Sequence, residues 1–121
     1  MSKVVLITGG SSGIGKSIGE FLKSRGFVVY GTSRQPEKCR DSKFPILLLD
    51  VKDVVSIKKL VETIIKKEGR LDVLINNAGM ASMNHTLLTP LSTVNKLFDT
   101  NFTGTFLFSR QAVKLMKKNN F

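Results

Sequence analysis

The stretch from Gly10 to Ser17, GSSGIGKS, contains residues whose types and spacing could bind a phosphate. It follows Val4 to Thr8, a short β-branched apolar run typical of a buried parallel strand, and it precedes residues with helical apolar spacing. Backbone N–H groups at a helix N-terminus carry partial positive charge, and glycines let an anion come close to that backbone. The spacing therefore predicts a phosphate-binding turn between the first strand and the first helix.

Two interpretations of this turn imply different ligands. As G-x-x-x-x-G-K-S, the turn fits a P-loop that binds a nucleoside triphosphate. Lys16 would then reach the β- and γ-phosphates, Ser17 would bind magnesium, and Asp50 at the end of the apolar run 46–49 would hold the metal. As TGGSSGIG, residues 8–15, the turn has the spacing G-x-x-x-G-x-G, which differs from the general dinucleotide fingerprint G-x-G-x-x-G.

Three motifs further along the chain favour the second interpretation. Asp50-Val51 closes the third strand, Asn76-Asn77-Ala78-Gly79 follows the fourth, and Asn101 lies in DTNFTGTF a little over twenty residues later. Together with TGGSSGIG, in this order and at these distances, they resemble the short-chain dehydrogenase/reductase family. A P-loop protein needs none of them, so we interpret Lys16 and Ser17 as ordinary helix residues.

The resemblance implies a role for each matched position. The cofactor pyrophosphate would be lined by the glycine turn, namely Gly9, Ser11, Ser12, Gly13, Ile14 and Gly15. The adenine would be flanked by Asp50 and Val51, and the ribose on the nicotinamide side by Asn76, Ala78 and Gly79. Asn101 would be a catalytic asparagine. As an alternative, asparagines at a strand end can simply form a turn.

The end of the second strand bears on the choice of cofactor. NAD-specific members usually place an acid about 18 residues beyond the last glycine of the turn, where it accepts hydrogen bonds from the ribose 2′-hydroxyl. This chain has Ser33 there, followed by Arg34. A hydroxyl and a guanidinium suit a 2′-phosphate. We therefore expect NADP(H) to be preferred over NAD(H), unless Arg34 is simply a solvated loop residue.

The elements that must position these residues alternate along the chain as β-α-β-β-α-β-α. Apolar strands with amphipathic helices between them predict an α/β fold, a Rossmann-like doubly wound parallel sheet with helices on both faces. Family topology implies about four strands in the order 3-2-1-4. The helix after the turn has an apolar face of Ile14, Ile18, Phe21 and Leu22, and Gly104 is expected to mark a bend or a close contact in the last helical segment.

Hydride transfer in this family requires a serine and a tyrosine followed four residues later by a lysine that lowers the tyrosine pKa. The 121 residues contain one tyrosine, Tyr30, which falls in the second strand, and Arg34 follows it by four. The resemblance thus spans the chain as a single, partial domain, residues 1–121, and covers about the first half of a full-length member. We expect this chain to be inactive by itself.

Composition narrows the possible partners. The formal net charge is +10 at pH 7, but the basic residues are scattered, without aromatic interleaving, so nucleic acid is an unlikely ligand and an anionic cofactor a better one. Apolar runs are too short for a membrane span, no apolar signal region is present, and we expect a cytoplasmic protein. The single cysteine, Cys39, and single histidine, His85, form no metal-ligand cluster, and no metal is expected.

Two surfaces are expected to favour self-association. The fourth strand, residues 73–75, would form an open sheet edge, and phenylalanines of the last helical segment would lack neighbours, among Phe98, Phe102, Phe106 and Phe108. We therefore expect a homo-oligomer built through the last helix, this edge, or both. A non-catalytic binding or assembly module on a Rossmann scaffold is the main alternative function, ahead of a P-loop nucleotidase.

Overall fold

The computed structural model describes residues 2–49, 53–79 and 86–118. Four parallel strands form one sheet in the order β3-β2-β1-β4, as the sequence predicted. The strands are β1 (Val4–Ile7), β2 (Val28–Ser33), β3 (Ile46–Leu48) and β4 (Val73–Ile75). The helices are α1 (Gly13–Ser24), α2 (Val54–Glu68), α3 (Leu91–Phe98) and α4 (Gly104–Lys118), with a π-helical turn at Asp99–Thr103 between the last two.

The strand β1 lies at the centre of the sheet, and all four of its residues are buried. Its last residue, Ile7, is in register with Gly31 of β2 and Ile75 of β4. Because the strands are parallel, their carboxyl ends share one edge of the sheet. The chain segments that follow β1, β2 and β4 therefore meet there, which is where α/β sheets bind ligands.

The core has two layers, one on each face of the sheet. On one face α2 and α4 pack against each other and the sheet, and the buried side chains of that layer are Val4, Leu6, Tyr30, Leu49, Ile57, Leu60, Val61, Ile64, Leu71, Phe108 and Ala112. On the other face α1 covers a smaller layer of Val5, Ile7, Val29 and Phe44. A sheet covered on both faces explains the near-continuous apolar composition of its strands.

The contact between α1 and the sheet differs from the apolar face that the sequence predicted. Ile18 and Leu22 are half-buried as expected, but Ile14 and Phe21 are 73% and 56% exposed. The buried positions of α1 are glycines, because the ring of Phe44 lies directly against Gly19. A helix that packs through glycine comes so close to its neighbour that apolar side chains beside the contact are left outside it.

The two ends of α2 are closed by a cap and by a glycine. The Asp53 carboxylate accepts hydrogen bonds from the backbone N–H groups of Val55 and Ser56, at 3.0 and 3.4 Å, and so caps the helix. At the other end Gly69 adopts the left-handed conformation, with φ of 76°, and donates its N–H to Ile65.

The last helical segment is irregular just before Gly104, where the π-helical turn ends and α4 begins. The sequence predicted a bend or a close contact at Gly104, and the structure places a change of helix type directly before it. Phe108 is buried under α2 and is therefore not one of the phenylalanines that lack neighbours. Phe98, Phe102 and Phe106 are 64%, 70% and 57% exposed. These three exposed rings match one of the two predicted surfaces, and β4, an edge strand of the described sheet, matches the other.

None of the helices in residues 2–49, 53–79 and 86–118 has both the length and the apolar character needed to cross a bilayer.

Candidate cofactor-binding site

The segments after β1 and β4 are joined at the carboxyl edge of the sheet by the side chain of Thr8. Its Oγ1 accepts hydrogen bonds from the backbone N–H groups of Asn77 and Ala78, at 3.0 and 2.9 Å. Thr8 is 2% exposed, and its own N–H donates to the carbonyl of Ile75 at 3.0 Å. The glycine turn and the Asn-Asn-Ala-Gly segment, far apart in sequence, are therefore held as one structure.

Gly9 begins the turn in a conformation that favours glycine, with φ of 67°. Its N–H donates to Thr32 Oγ1 and its carbonyl accepts from Asn77 Nδ2, both at 3.1 Å. A Cβ at Gly9 would lie 3.0 Å from the Cα of Ala78. Both backbone polar groups of Gly9 are thus used inside the protein, which indicates that this glycine shapes the turn.

Asn77 stands in the Asn-Asn-Ala-Gly motif but was not among the predicted cofactor contacts. The structure shows that its backbone bonds to Thr8 and its side chain to Gly9. The motif marks Asn77 as a candidate site residue. The resemblance alone did not show that Asn77 holds the turn in place, whereas Asn76 contacts α4.

The N-terminus of α1 is open to an anion. Ser12 occupies the N-cap position but makes no side-chain capping bond, and no acid lies in the first turn. The first amides of a helix have no intrahelical partner, so those after Ser12 are available to an outside acceptor. Beside them Gly13 has φ of 55° and open space where a Cβ would stand. At the start of α2, by contrast, the Asp53 side chain accepts hydrogen bonds from two of the first backbone N–H groups.

Gly15 is where α1 packs against the rest of the site. A Cβ there would lie 2.4 Å from Asn77 Nδ2 and 2.6 Å from the carbonyl oxygen of Gly9. Both distances are below van der Waals contact, so no side chain fits without movement of the turn. Glycine at this position lets the helix start directly against the turn.

A positively charged residue, Arg34, directly follows the end of β2. Ser33 ends the strand, and its Oγ accepts a hydrogen bond from the N–H of Gln35 at 3.0 Å. Arg34 between them is exposed. The three residues line an open pocket of about 480 Å³. A guanidinium here can form paired hydrogen bonds with a phosphate.

The segment after β4 contacts the last helical segment at two points. Asn76 Nδ2 donates to Ser109 Oγ of α4 at 2.9 Å. A Cβ on Gly79 would lie 3.1 Å from Asn101 Oδ1, so the Asn101 side chain faces Gly79. Asn101 lies in the π-helical turn, an irregularity often found at functional sites, and its carbonyl accepts from Thr105 Oγ1 at 3.0 Å.

The structure therefore brings together the predicted site residues of the glycine turn, the end of β2, the Asn-Asn-Ala-Gly segment and Asn101. Asp50, Val51 and His85 lie outside the described residues. No group of three or more potential metal ligands occurs within residues 2–49, 53–79 and 86–118.

Tyr30 is a buried core residue. It is 5% exposed in the core layer under α2, and its hydroxyl donates to Glu68 Oε1 at 2.6 Å. Burial, together with this carboxylate, raises the pKa of Tyr30 to about 12. A phenol that holds its proton so strongly cannot act as a base near neutral pH. Its contacts are those of a structural residue.

The fold is a Rossmann-like parallel sheet in which a helix with an uncapped N-terminus follows the central strand. A family model described as short chain dehydrogenase matches residues 3–121. The chain belongs to this family, and the match supports the dehydrogenase interpretation of the turn over the P-loop interpretation.

Two curated relatives give the range of similarity. A 3-ketodihydrosphingosine reductase of Bacteroides thetaiotaomicron is 40% identical over 116 residues, which are 96% of this chain and 43% of the relative. The 3-oxoacyl-(acyl-carrier-protein) reductase FabG of Salmonella typhimurium is 32% identical over 122 residues, 96% of this chain and 50% of the relative. The chain spans about half the length of the curated relatives it matches.

Solved structures show the same partial coverage. Ligand-free aldohexose dehydrogenase of Thermoplasma acidophilum superposes with a TM-score of 0.89 at 29% identity, over 97% of this chain and 45% of the other. ElxO with NADP bound superposes with a TM-score of 0.86 at 35% identity, over 98% of this chain and 52% of the other. The match extends over the sheet and all of its helices.

Proposed function

We propose that this chain forms the dinucleotide-binding part of a short-chain oxidoreductase and that it binds NADP(H) in preference to NAD(H). The observation that carries the proposal is the uncapped N-terminus of α1, held beside the end of β2 by the bonds of Gly9. The pyrophosphate would bind the amides of residues 11–15, and the 2′-phosphate would bind Ser33 and Arg34. The bound dinucleotide would supply or accept a hydride.

Three properties of the site support this ligand. The turn leaves open space at Gly13, the first turn of α1 contains no acid that would repel phosphate, and no acid occupies the end of β2. The NADP in the ElxO structure and the NADPH in an actinorhodin polyketide ketoreductase structure show what two similar proteins bind. These observations favour a phosphorylated dinucleotide for this chain as well.

Asn76, Ala78 and Gly79 would contact the ribose on the nicotinamide side, and Asn101 would act beside them. We propose that Asn101 orients a polar group of the substrate or a water, because its amide faces Gly79 at the end of β4. The 121 residues contain no Tyr-x-x-x-Lys motif. We therefore propose that this chain by itself binds the cofactor without hydride transfer.

Calorimetric titration of the purified chain with NADPH, NADH and magnesium-ATP tests the proposal. NADPH is expected to bind more tightly than NADH. Arg34→Asp is expected to weaken NADPH binding about tenfold to a hundredfold, since a hydrogen bond to a charged group contributes roughly 1.5–3 kcal/mol. Lys67→Asp, in the last turn of α2, makes the same change of charge away from the site and is the matched control.

Equal effects of the two substitutions would show that Arg34 acts through net charge alone and would contradict the 2′-phosphate contact. Tight magnesium-ATP binding that Lys16→Ala abolishes would instead support a P-loop nucleotidase. If a folded sample gives no binding heat with any of the three nucleotides, dinucleotide binding is refuted.

A second proposal, self-association, rests on a different observation. Phe98, Phe102 and Phe106 present a row of exposed rings along the last helical segment. Apolar patches of this kind mark interaction surfaces. We propose that the chain forms a homo-oligomer through this row, the β4 edge, or both, as an assembly module would. Sedimentation velocity is expected to show an oligomer that Phe102→Ser weakens, and a concentrated sample that remains monomeric would contradict it.

A further inference from the structure

Within the described residues, the buried polar side chains are Thr8 and Thr32, each 2% exposed. Both serve the glycine turn. Thr8, the first residue of the TGGSSGIG motif, accepts hydrogen bonds from the segment after β4. Thr32 lies in β2, was not singled out by any motif, and accepts the N–H of Gly9 at 3.1 Å. A buried hydroxyl in an otherwise apolar layer requires such a partner, and here the partner is the first residue of the turn.

The bond from Gly9 to Thr32 acts at the residue that determines the direction of the turn. Gly9 has φ of 67°, and its carbonyl is held by Asn77 on the opposite side. Two hydrogen bonds thus fix both peptide groups that flank a left-handed residue. The neighbouring Gly10 comes so close to β2 that a Cβ on it would lie 3.0 Å from the Cα of Gly31. The turn therefore lies against β2, and Thr32 is the side chain that bonds it there.

We propose that Thr32 is a positioning residue for the pyrophosphate site. Thr32 fixes the Gly9 peptide, which sets the position of the amides that follow it, and those amides bind the phosphates. The proposal rests on the dinucleotide-binding function proposed above. Because Ser33 and Arg34 follow Thr32 directly, β2 would hold the turn with one residue and contact the 2′-phosphate with the next two.

Thr32→Val tests the proposal, because valine keeps the shape of threonine and removes Oγ1. The Gly9 N–H then has no acceptor from β2. Calorimetry would compare NADPH, which carries the pyrophosphate and the 2′-phosphate, with 2′-AMP, which carries the 2′-phosphate alone. The dissociation constant for NADPH is expected to rise about tenfold, equivalent to 1.4 kcal/mol, while that for 2′-AMP changes less than about twofold.

Two variants serve as controls. Thr32→Ser retains the hydroxyl and is expected to restore NADPH affinity. Thr63→Val removes a hydroxyl that donates to Lys59 on the exposed side of α2, and it is expected to leave both ligands unaffected. Circular dichroism would confirm that each variant is folded.

Amide hydrogen exchange gives a measurement that does not depend on a ligand. The Gly9 N–H is expected to be protected in the wild-type chain and to exchange faster in Thr32→Val, while β1 amides keep their protection. Unchanged exchange at Gly9, unchanged NADPH affinity, or equal weakening of NADPH and 2′-AMP would each overturn the positioning role. A wild-type chain that binds no dinucleotide would instead refute the function on which the proposal rests, and Gly9 exchange would still decide whether Thr32 positions the turn.

Discussion

Gly15→Ala tests the packing of the whole site with one methyl group. On helix propensity alone, alanine in place of an interior glycine stabilises a helix by about 1 kcal/mol. At this position, however, the new Cβ would lie 2.4 Å from Asn77 Nδ2 and 2.6 Å from the Gly9 carbonyl oxygen. Overpacking of this kind costs roughly 1–3 kcal/mol, and the Gly9 carbonyl is backbone that cannot rotate away. The clash should therefore offset or outweigh the propensity gain, with a net loss of up to about 2 kcal/mol.

Urea unfolding followed by circular dichroism measures this difference. With an unfolding slope of about 2 kcal/mol per molar urea, the midpoint should fall by up to about 1 M. Ser17→Ala is the matched control, because Ser17 is exposed on the same helix two residues later. It should raise the midpoint slightly, since alanine is the better helix former. NADPH affinity should fall in Gly15→Ala alone, because the turn must move to admit the methyl group.

The result that would refute this reasoning is an equal rise in stability for both variants. Alanine at Gly15 would then meet open space, and the contact between α1, the turn and Asn77 would not be as close as described. Lower stability with unchanged NADPH affinity would separate the two consequences: the packing would stand, and the link from the turn to the ligand would fail.

Three further predictions concern the scaffold. The Arg70 guanidinium, hydrogen-bonded to Asp72, holds the pKa of that carboxyl below its usual range. The ion pair therefore stabilises the fold above about pH 4, and this stabilisation is lost as the pH falls through the lowered pKa. The loss of stability in Asp72→Asn, measured by urea unfolding at pH 7, should become smaller in acid. Tyr30, with its pKa raised to about 12, should show phenolate absorbance near pH 12 instead of its ordinary 10.0, with stability falling between those values, and early titration would contradict its burial. Phe108→Ala should cost about 3–5 kcal/mol, and Phe102→Ala less than about 0.5 kcal/mol, in the same unfolding assay.

The two helices of the first half show why sequence patterns predict some packing and miss other packing. The apolar stripe of α2 is buried as its spacing predicts, since Ile57, Leu60, Val61 and Ile64 are all core residues. The stripe of α1 is buried only in part: Ile18 and Leu22 are half-buried, while the tightest contact is made by Gly19 against the ring of Phe44. Apolar periodicity identifies a face only where side chains make the contact. Where a glycine makes the contact, the pattern gives no signal. The prediction that Ile14 and Phe21 lie on the buried face of α1 was therefore wrong.

The sequence by itself determined which segments form strands and helices and where the site motifs lie, because apolar runs, glycines and caps act over short stretches of chain, whereas the strand order followed from the family resemblance. Tertiary structure decided how those motifs hold one another. The bonds from Thr32 and Asn77 to Gly9 join residues 23 and 68 positions apart. Thr32 lies in no motif and Asn77 lies in the Asn-Asn-Ala-Gly motif, but neither segment by itself shows that its residue bonds to Gly9. Their contacts exist because parallel strands bring their carboxyl ends to one edge of the sheet, and that juxtaposition forms only when the chain folds.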